Sequence, residues 1–314
     1  MLRYSIRRLG LLLVTLLLTS VLIFVITQML PGDVARVILG REAGEASLTQ
    51  LRQELGLNDP AVIQYLRWLG HFVTGDWGVS YATRTEILPM VLERLGNSLI
   101  LAGLTLLISI PLGIGFGILA GMKENRPADH VISLASLSMV GLPEFITGLV
   151  LIQLFAIRLP LFPATSTLSL DLPWYKQIPA LILPAITASL VLLAYLIRLT
   201  RAGVLEELMK AYIRTANLKG LPYRIVIFKH LLRNALLPII TVIAISIGWL
   251  ISGLVVIENV FNYPGLGRLL TFAVDRRDIP LLQAVTMIAV LGFGVANLAA
   301  DLLNVYLDPR IHYQ

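Results

Sequence analysis

The residues equipped for chemistry are few and scattered. Four histidines, His71, His130, His230 and His312, stand far apart, and no His-Glu-x-x-His pairing sets two of them on one helix face as a zinc site would require. The chain has no cysteine, so neither a thiolate nucleophile nor a thiolate metal site is available. A Gly-x-x-x-x-Gly-Lys-Ser/Thr loop for nucleotide phosphates is also missing. No catalytic and no metal-binding residue is therefore nominated, and His230 reads as a solvated face residue. Two features remain. Glu144 is the single charge in the 27-residue run 131–157, and residues 211–238 are basic, amphipathic and broken once, at Gly220-Leu221-Pro222. A carboxylate at membrane depth costs at least about 2.5 kcal/mol unless paired or hydrated. Glu144 is thus a substrate-path candidate, with a pairing to another subunit as the equal alternative.

The elements that must position these residues follow from composition. The chain has 314 residues, 57% hydrophobic and 14% charged, against about 25% charged in an ordinary soluble domain. Uncharged runs cover 9–30, 98–122, 177–197, 234–257 and 279–300, and 131–157 makes a sixth. Each reaches the roughly 20 residues a helix needs to cross a hydrocarbon core. The expectation is an all-α integral membrane protein with six transmembrane helices. Run 9–30 is too long for a signal-peptide core, and no small-residue cleavage site follows Met29-Leu30-Pro31.

Charge then orients the chain. With the N-terminus cytoplasmic, Arg3, Arg7, Arg8, Lys123, Arg126, Arg310 and eight residues between Arg198 and Arg233 put 14 of the 25 basic residues inside, against 6 acidic ones. The short outer loops hold five, namely Arg158, Lys176, Arg268, Arg276 and Arg277. Lysine and arginine mark the cytoplasmic side, so both termini are expected there. The net charge of +6 is then topological rather than a nucleic-acid footprint.

Two units are expected: 1–97, an anchor span plus an extracytoplasmic scaffold segment, and 98–314, a transmembrane core. In the scaffold, Ser47-Leu48-Thr49-Gln50-Leu51 reads as a capped helix start, Pro60 as the first turn of a helix through Trp68, and Gly75-Asp76-Trp77-Gly78 as a turn. Gly113, Gly117 and Gly121 share a helix face that admits a close neighbour, within this chain or in a partner. Pro111, Pro143, Pro184 and Pro238 each remove a hydrogen bond inside a span.

Segment 198–235 is the expected cytoplasmic loop. Leu205 to Leu218 reads as one helix with a Glu206–Lys210 pair of favourable sense, ended by Gly220. Pro222 starts a second helix, with Ile225, Phe228, Leu232 and Leu236 on one face and Lys229, His230 and Arg233 on the other. Composition leaves two uses open: docking on a partner protein, or lying on anionic membrane lipid.

These residues resemble a family. Tyr212-Ile213-Arg214-Thr215-Ala216-Asn217-Leu218-Lys219-Gly220-Leu221 and His230-Leu231-Leu232-Arg233-Asn234-Ala235-Leu236-Leu237-Pro238 are similar to the loop by which permeases of ABC importers engage their ATPases. More narrowly they resemble the peptide/nickel branch, the dipeptide and oligopeptide permeases of bacteria. The likeness extends to Met1-Leu2-Arg3-Tyr4 through Leu30-Pro31-Gly32-Asp33, Leu55-Gly56-Leu57-Asn58-Asp59-Pro60, Gln64-Tyr65-Leu66-Arg67-Trp68, residues 256–268 and Leu307-Asp308-Pro309-Arg310. The N-terminal pattern is similar to the first of the two permeases usually paired. Arg214-Thr215-Ala216 stands where many importer permeases have Glu-Ala-Ala, and the stretch from Gly220 to Pro238 is long, both ordinary in this branch.

The resemblance implies a type I importer permease fold with cytoplasmic coupling helices, in a prokaryotic cytoplasmic (inner) membrane. It implies a second homologous permease, two ATPase subunits that hold ATP and Mg, and an external solute-binding protein as partners. No cofactor belongs to this chain, and the substrate would be a peptide or similar small solute. Glu206, Tyr212, Arg214, Thr215, Ala216, Lys219 and Gly220 become ATPase-coupling candidates, with Tyr212 as an apolar anchor. Glu258, Tyr263, Pro264, Gly265 and Arg268 become candidates for contact with the binding protein at the outer mouth. An ion-coupled secondary carrier is the alternative function; it would favour several carboxylates at membrane depth, where this chain has Glu144.

Overall fold

The computed structural model describes residues 2–29, 34–40, 43–54, 56–167 and 174–307. Pro31, Gly32, Asp33, Leu55 and the ending Asp308-Pro309-Arg310 lie outside the described residues. Among those described there is no strand, only an isolated bridge between Val79 and Glu86.

The helices, in order, are α1 (Leu2–Met29), α2 (Val34–Leu39), α3 (Glu45–Glu54), α4 (Ala61–Thr74), α5 (Ile87–Met122), α6 (Pro127–Gly141) and α7 (Glu144–Leu151), which runs on as a π-turn through Arg158. There follow α8 (Trp174–Leu208), α9 (Ala211–Leu218), α10 (Tyr223–Ile225), a π-turn (Val226–Leu231) and α11 (Leu232–Ala235). The chain closes with α12 (Leu237–Gly253), α13 (Val255–Val260), α14 (Leu266–Asp275) and α15 (Ile279–Leu307).

Among the described residues four helices, α1, α5, α8 and α15, are by themselves long and apolar enough to cross a membrane, and two bent pairs, each counted as one span, bring the number up to six. The span expected at 131–157 is not one rod. Gly141-Leu142-Pro143 breaks it, and α6 and α7 meet at 106°, because Pro143 lacks the N–H that would continue α6. The pair still crosses. Asp129 of α6 binds Arg201 of α8 at 2.6 Å, whereas Ser166, beyond the π-turn, donates its hydroxyl to the Ala180 carbonyl of α8 at 2.5 Å. Ala180 and Arg201 are 21 residues apart, about 31 Å along a helix, the thickness of a hydrocarbon core.

α8 is the central post. Most of its apolar stretch is buried, whereas α1 at the periphery is largely exposed. The glycine stripe explains how α5 seats on α8. A Cβ on Gly113 would lie 2.5 Å from Leu196 Cβ, and one on Gly121 2.7 Å from Val204 Cγ1. Both are closer than real carbon atoms approach, so the stripe serves packing within this chain. α5 continues unbroken through Pro111. The division of the chain after residue 97 falls inside this helix.

Three apolar clusters result: a central one under α5, α8 and α12, one at the Asn97 end joining Ile87 and Val91 to α14 and α15, and one at the opposite end under α9 to α11.

Candidate functional site

At the end opposite Asn97, the chain builds a compact knob on α8. Leu205 to Leu218 is not one helix: α8 stops at Leu208, and α9 restarts at Ala211 behind an extended Lys210 with ψ 143°. Ile213 and Ala216 then point inward, onto Val204, Val226, Leu231, Leu232 and Ala235. The amphipathic face beyond Pro222 also differs from the 3.6-residue expectation. Ile225 is 42% and Phe228 72% exposed, while Val226, Leu231, Leu232 and Ala235 are buried. The π-turn from Val226 to Leu231 is the cause: its i→i+5 bonding widens the turn and rotates a different set of side chains inward.

One carboxylate pins the knob. Glu207, 7% exposed, accepts hydrogen bonds from the Lys210 ammonium and the Tyr212 hydroxyl. Asn234 Nδ2 donates to the Tyr212 oxygen at 3.0 Å and to the His230 carbonyl at 3.2 Å. α8, α9 and α11 thus share one polar node. Its bonds with Glu207 and then Glu206 push the Lys210 ammonium pKa up, and burial does the same for the Tyr212 hydroxyl. Below the node, Arg201 clamps Asp129 in a bidentate pair, Nε at 2.6 Å and Nη2 at 2.8 Å. Asn125 N–H and Ser133 Oγ complete that carboxylate's shell.

The coupling candidates divide accordingly. Arg214, Thr215 and Lys219 are exposed; Glu206 is exposed and pairs with Lys210 at 3.3 Å. Gly220 adopts φ +69°, with open space where a Cβ would stand. Ala216 is buried, and Tyr212 is half-buried with its hydroxyl committed inward, so it is no outward anchor. Around the solvent side, Met209, Leu218, Tyr223 and Phe228 are 66–82% exposed; of these the sequence pattern had placed Phe228 on the apolar face. Glu207, Asn234, Asp129 and Arg201 were missed; their signal was a polar residue facing a helix-end cluster, visible only with the partner segment in place.

At the other end, the outer-mouth candidates form an internal latch. Glu258 is fully buried and accepts from Ser98 Oγ at 2.5 Å and from the Arg268 N–H at 3.0 Å, satisfying the start of α14 in the way a capping side chain does. Burial pushes its carboxyl pKa up, against the pull of these donors and of nearby Arg94. A Cβ on Gly265 would collide with that carboxylate. Tyr263, also fully buried, donates to the Asn97 carbonyl at 2.6 Å, and Asn97 Nδ2 returns a bond to Pro264 O at 2.9 Å. Burial raises the Tyr263 pKa. Glu258, Tyr263 and Gly265 therefore offer no surface to a binding protein. Pro264 and Arg268 are half-buried, and Arg268 shares with Arg94 a pocket of about 280 Å³.

Glu144 opens α7 at the elbow and is half-buried. Its backbone carbonyl accepts from Thr147 Oγ1 at 2.8 Å; its carboxylate has no hydrogen-bond partner among the described residues.

The long apolar helices, the broken third span and a rigid knob carried on a central helix define a polytopic membrane protein. The comparisons give the family. Residues 113–313 match the family described as binding-protein-dependent transport system inner membrane component, and residues 1–102 match its N-terminal companion. Similar proteins include the probable peptide ABC transporter permease protein y4tP of Sinorhizobium fredii, 36% identical with 99% of both chains covered. The oligopeptide transport system permease protein AppB of Bacillus subtilis is 37% identical, with 99% of each covered. The glutathione transport system permease protein GsiC of Escherichia coli is 36% identical over the full length of both. The chain belongs to this family and is a permease component of an ABC importer, with the type I permease fold.

Proposed function

We propose that this chain forms half of a translocation path for peptides or similar small solutes, and that segment 198–235 is where an ATPase subunit drives it. The carrying observation is the knob. α9 is fixed to α8 and α11 by the Glu207 node and by the apolar cluster beneath, yet it presents Arg214, Thr215, Leu218 and Lys219 to solvent. A permease without a nucleotide site of its own must receive force through a rigid contact, and a floppy loop would absorb it. The charge distribution supports a cytoplasmic knob, with both termini on the same side. ATP and Mg then belong to two ATPase subunits, and the second half of the path to a homologous permease. An external binding protein delivers the solute. The names of the relatives, covering peptides, oligopeptides and glutathione, support that solute class. Glu144, an unpaired carboxylate at the break of the third span, is the path residue we assign to substrate amines.

The test is charge reversal. Arg214→Glu with Lys219→Glu leaves the buried face of α9 untouched. It is expected to lower substrate-stimulated ATP hydrolysis in the reconstituted importer by about tenfold, some 1.4 kcal/mol of docking, with the permease still folded in the membrane. Normal stimulation would remove the docking role. Transport that persists without the ATPase and follows an ion gradient would establish the secondary-carrier alternative.

A further inference from the structure

We infer that α4 is a membrane-interface helix whose Val62, Leu66 and Val73 stripe meets lipid acyl chains at the Met29 end of α1. The helix is divided into three sectors. One packs on the protein: Tyr65 and Trp68 lie 5.5 and 6.1 Å, centroid to centroid, from Phe24 of α1, and Phe72 stacks on Trp77 at 5.1 Å. A second is polar and internally paired, with Arg67 on Asp59 at 2.8 Å and His71 on Asp76 at 3.1 Å. The third is apolar and uncovered. Val62 is 69%, Leu66 60% and Val73 77% exposed; spacings of four and seven residues keep them in one row of a 3.6-residue helix. A helix wholly in water has no use for a third sector of that kind, whereas one lying in the bilayer boundary needs it.

Depth selects lipid as the occupant. The Tyr65 hydroxyl is 2.8 Å from Ser20 Oγ, and Gln28 Nε2 donates to Gln64 Oε1 at 2.8 Å. One turn of α4, Gln64 to Trp68, therefore lies against the stretch from Ser20 to Gln28, about 12 Å of helix, inside the uncharged run 9–30. α1 is itself peripheral, and its Leu22, Val25 and Ile26 are 46–59% exposed. Aromatic residues with one polar atom, here Tyr65, Trp68 and Trp77, suit the boundary between acyl chains and water. The segment expected to be a wholly extracytoplasmic scaffold thus includes a membrane-seated helix. The inference holds for either orientation of the chain and does not depend on the solute.

Because the chain has no cysteine, each single-cysteine variant carries its label at one position of this chain, and the partner subunits are used in cysteine-free form. Val62→Cys, Leu66→Cys and Val73→Cys, with Thr74→Cys on the polar edge as control, would carry nitroxide labels in the full importer. The complex would be reconstituted in vesicles of phosphatidylethanolamine and phosphatidylglycerol. Power saturation is expected to give collisions with oxygen above those with a water-soluble nickel chelate at the three stripe positions, and the reverse ratio at Thr74→Cys. Nickel collisions dominating at the stripe would put it in water and overturn the inference. Weak collisions with both reagents would place a protein chain there, the partner permease included, and overturn it equally. For any label that prevents assembly, the unlabelled cysteine is challenged with a membrane-impermeant maleimide. Protection in vesicles that is lost in detergent supports a lipid cover; reaction in intact vesicles overturns it.

Discussion

Glu207 and Glu258 are both carboxylates withdrawn from water, and each organises its end of the molecule through donors from other segments. At Glu207 the donors come from the turn that follows α8. Tyr212→Phe removes the hydroxyl from the shared node and strands one donor of Asn234, a loss of about 1 kcal/mol. The expected readout is weaker coupling between ATP hydrolysis and transport with assembly intact, measured as ATP hydrolysed per solute moved. Arg214→Ala, on the exposed face, should leave thermal stability unchanged. At Glu258 burial raises the carboxyl pKa, so the folded protein binds that proton more tightly than the unfolded chain does. Stability must then fall as pH rises through the folded pKa. Thermal unfolding followed from about pH 5 to about pH 8 should show this decline, and Glu258→Gln should flatten it; an equal slope in the variant would refute the assignment.

At the scale of elements, three features of the helices carry the design, the last of them the elbow at Pro143. The π-turn from Val226 to Leu231 replaces the simple amphipathic face with one that leaves Phe228 outside. The glycine stripe lets α5 press on α8. Gly121→Leu should overpack that contact at a cost of about 1–3 kcal/mol and lower the yield of assembled complex, because Val204 and the Arg201 carbonyl stand in the way. Gly115→Leu, on the same helix with nothing within 4 Å, should be tolerated. Equal behaviour of the two variants in detergent thermal unfolding would show that the stripe is not a packing device. At the elbow the bend of 106° exposes the start of α7 rather than burying it in a continuous rod.

Across the whole molecule, the Asp129–Arg201 pair fixes one end of the broken span to the central helix, and the Ser166 bonds to Phe261 and Ala180 fix the other. Asp129→Asn leaves the partly exposed Arg201 guanidinium without its counter-charge, a loss of about 1–3 kcal/mol. The double variant Asp129→Leu with Arg201→Leu should recover much of that stability in thermal unfolding. Between these anchors Glu144 faces the elbow. Glu144→Gln keeps its size and removes its charge, so transport of cationic peptides should fall while neutral ones are carried as before. An equal fall for both, in a normally assembled importer, would end the proposal of charge recognition there.

What could be read in the sequence was what depends on local chemistry and on solvent. Uncharged runs of membrane length, the basic loop, the Gly220 turn and the missing nucleotide loop needed no partner segment to be legible, and Gly220 does take the left-handed conformation. The family likeness was legible for the same reason: its motifs are contiguous. What only the tertiary structure decided was which side each polar residue serves. Tyr263 and Glu258 looked like surface residues of a loop and are sealed against Asn97 and Ser98, more than 150 positions away. Tyr212 turned inward because Glu207 and Asn234 meet it there, and the stripe on α4 is readable as lipid-facing only once Tyr65 is seen to reach Ser20. Periodicity specifies a helix face but not its partner, and a buried carboxylate is tolerated only where distant donors converge on it.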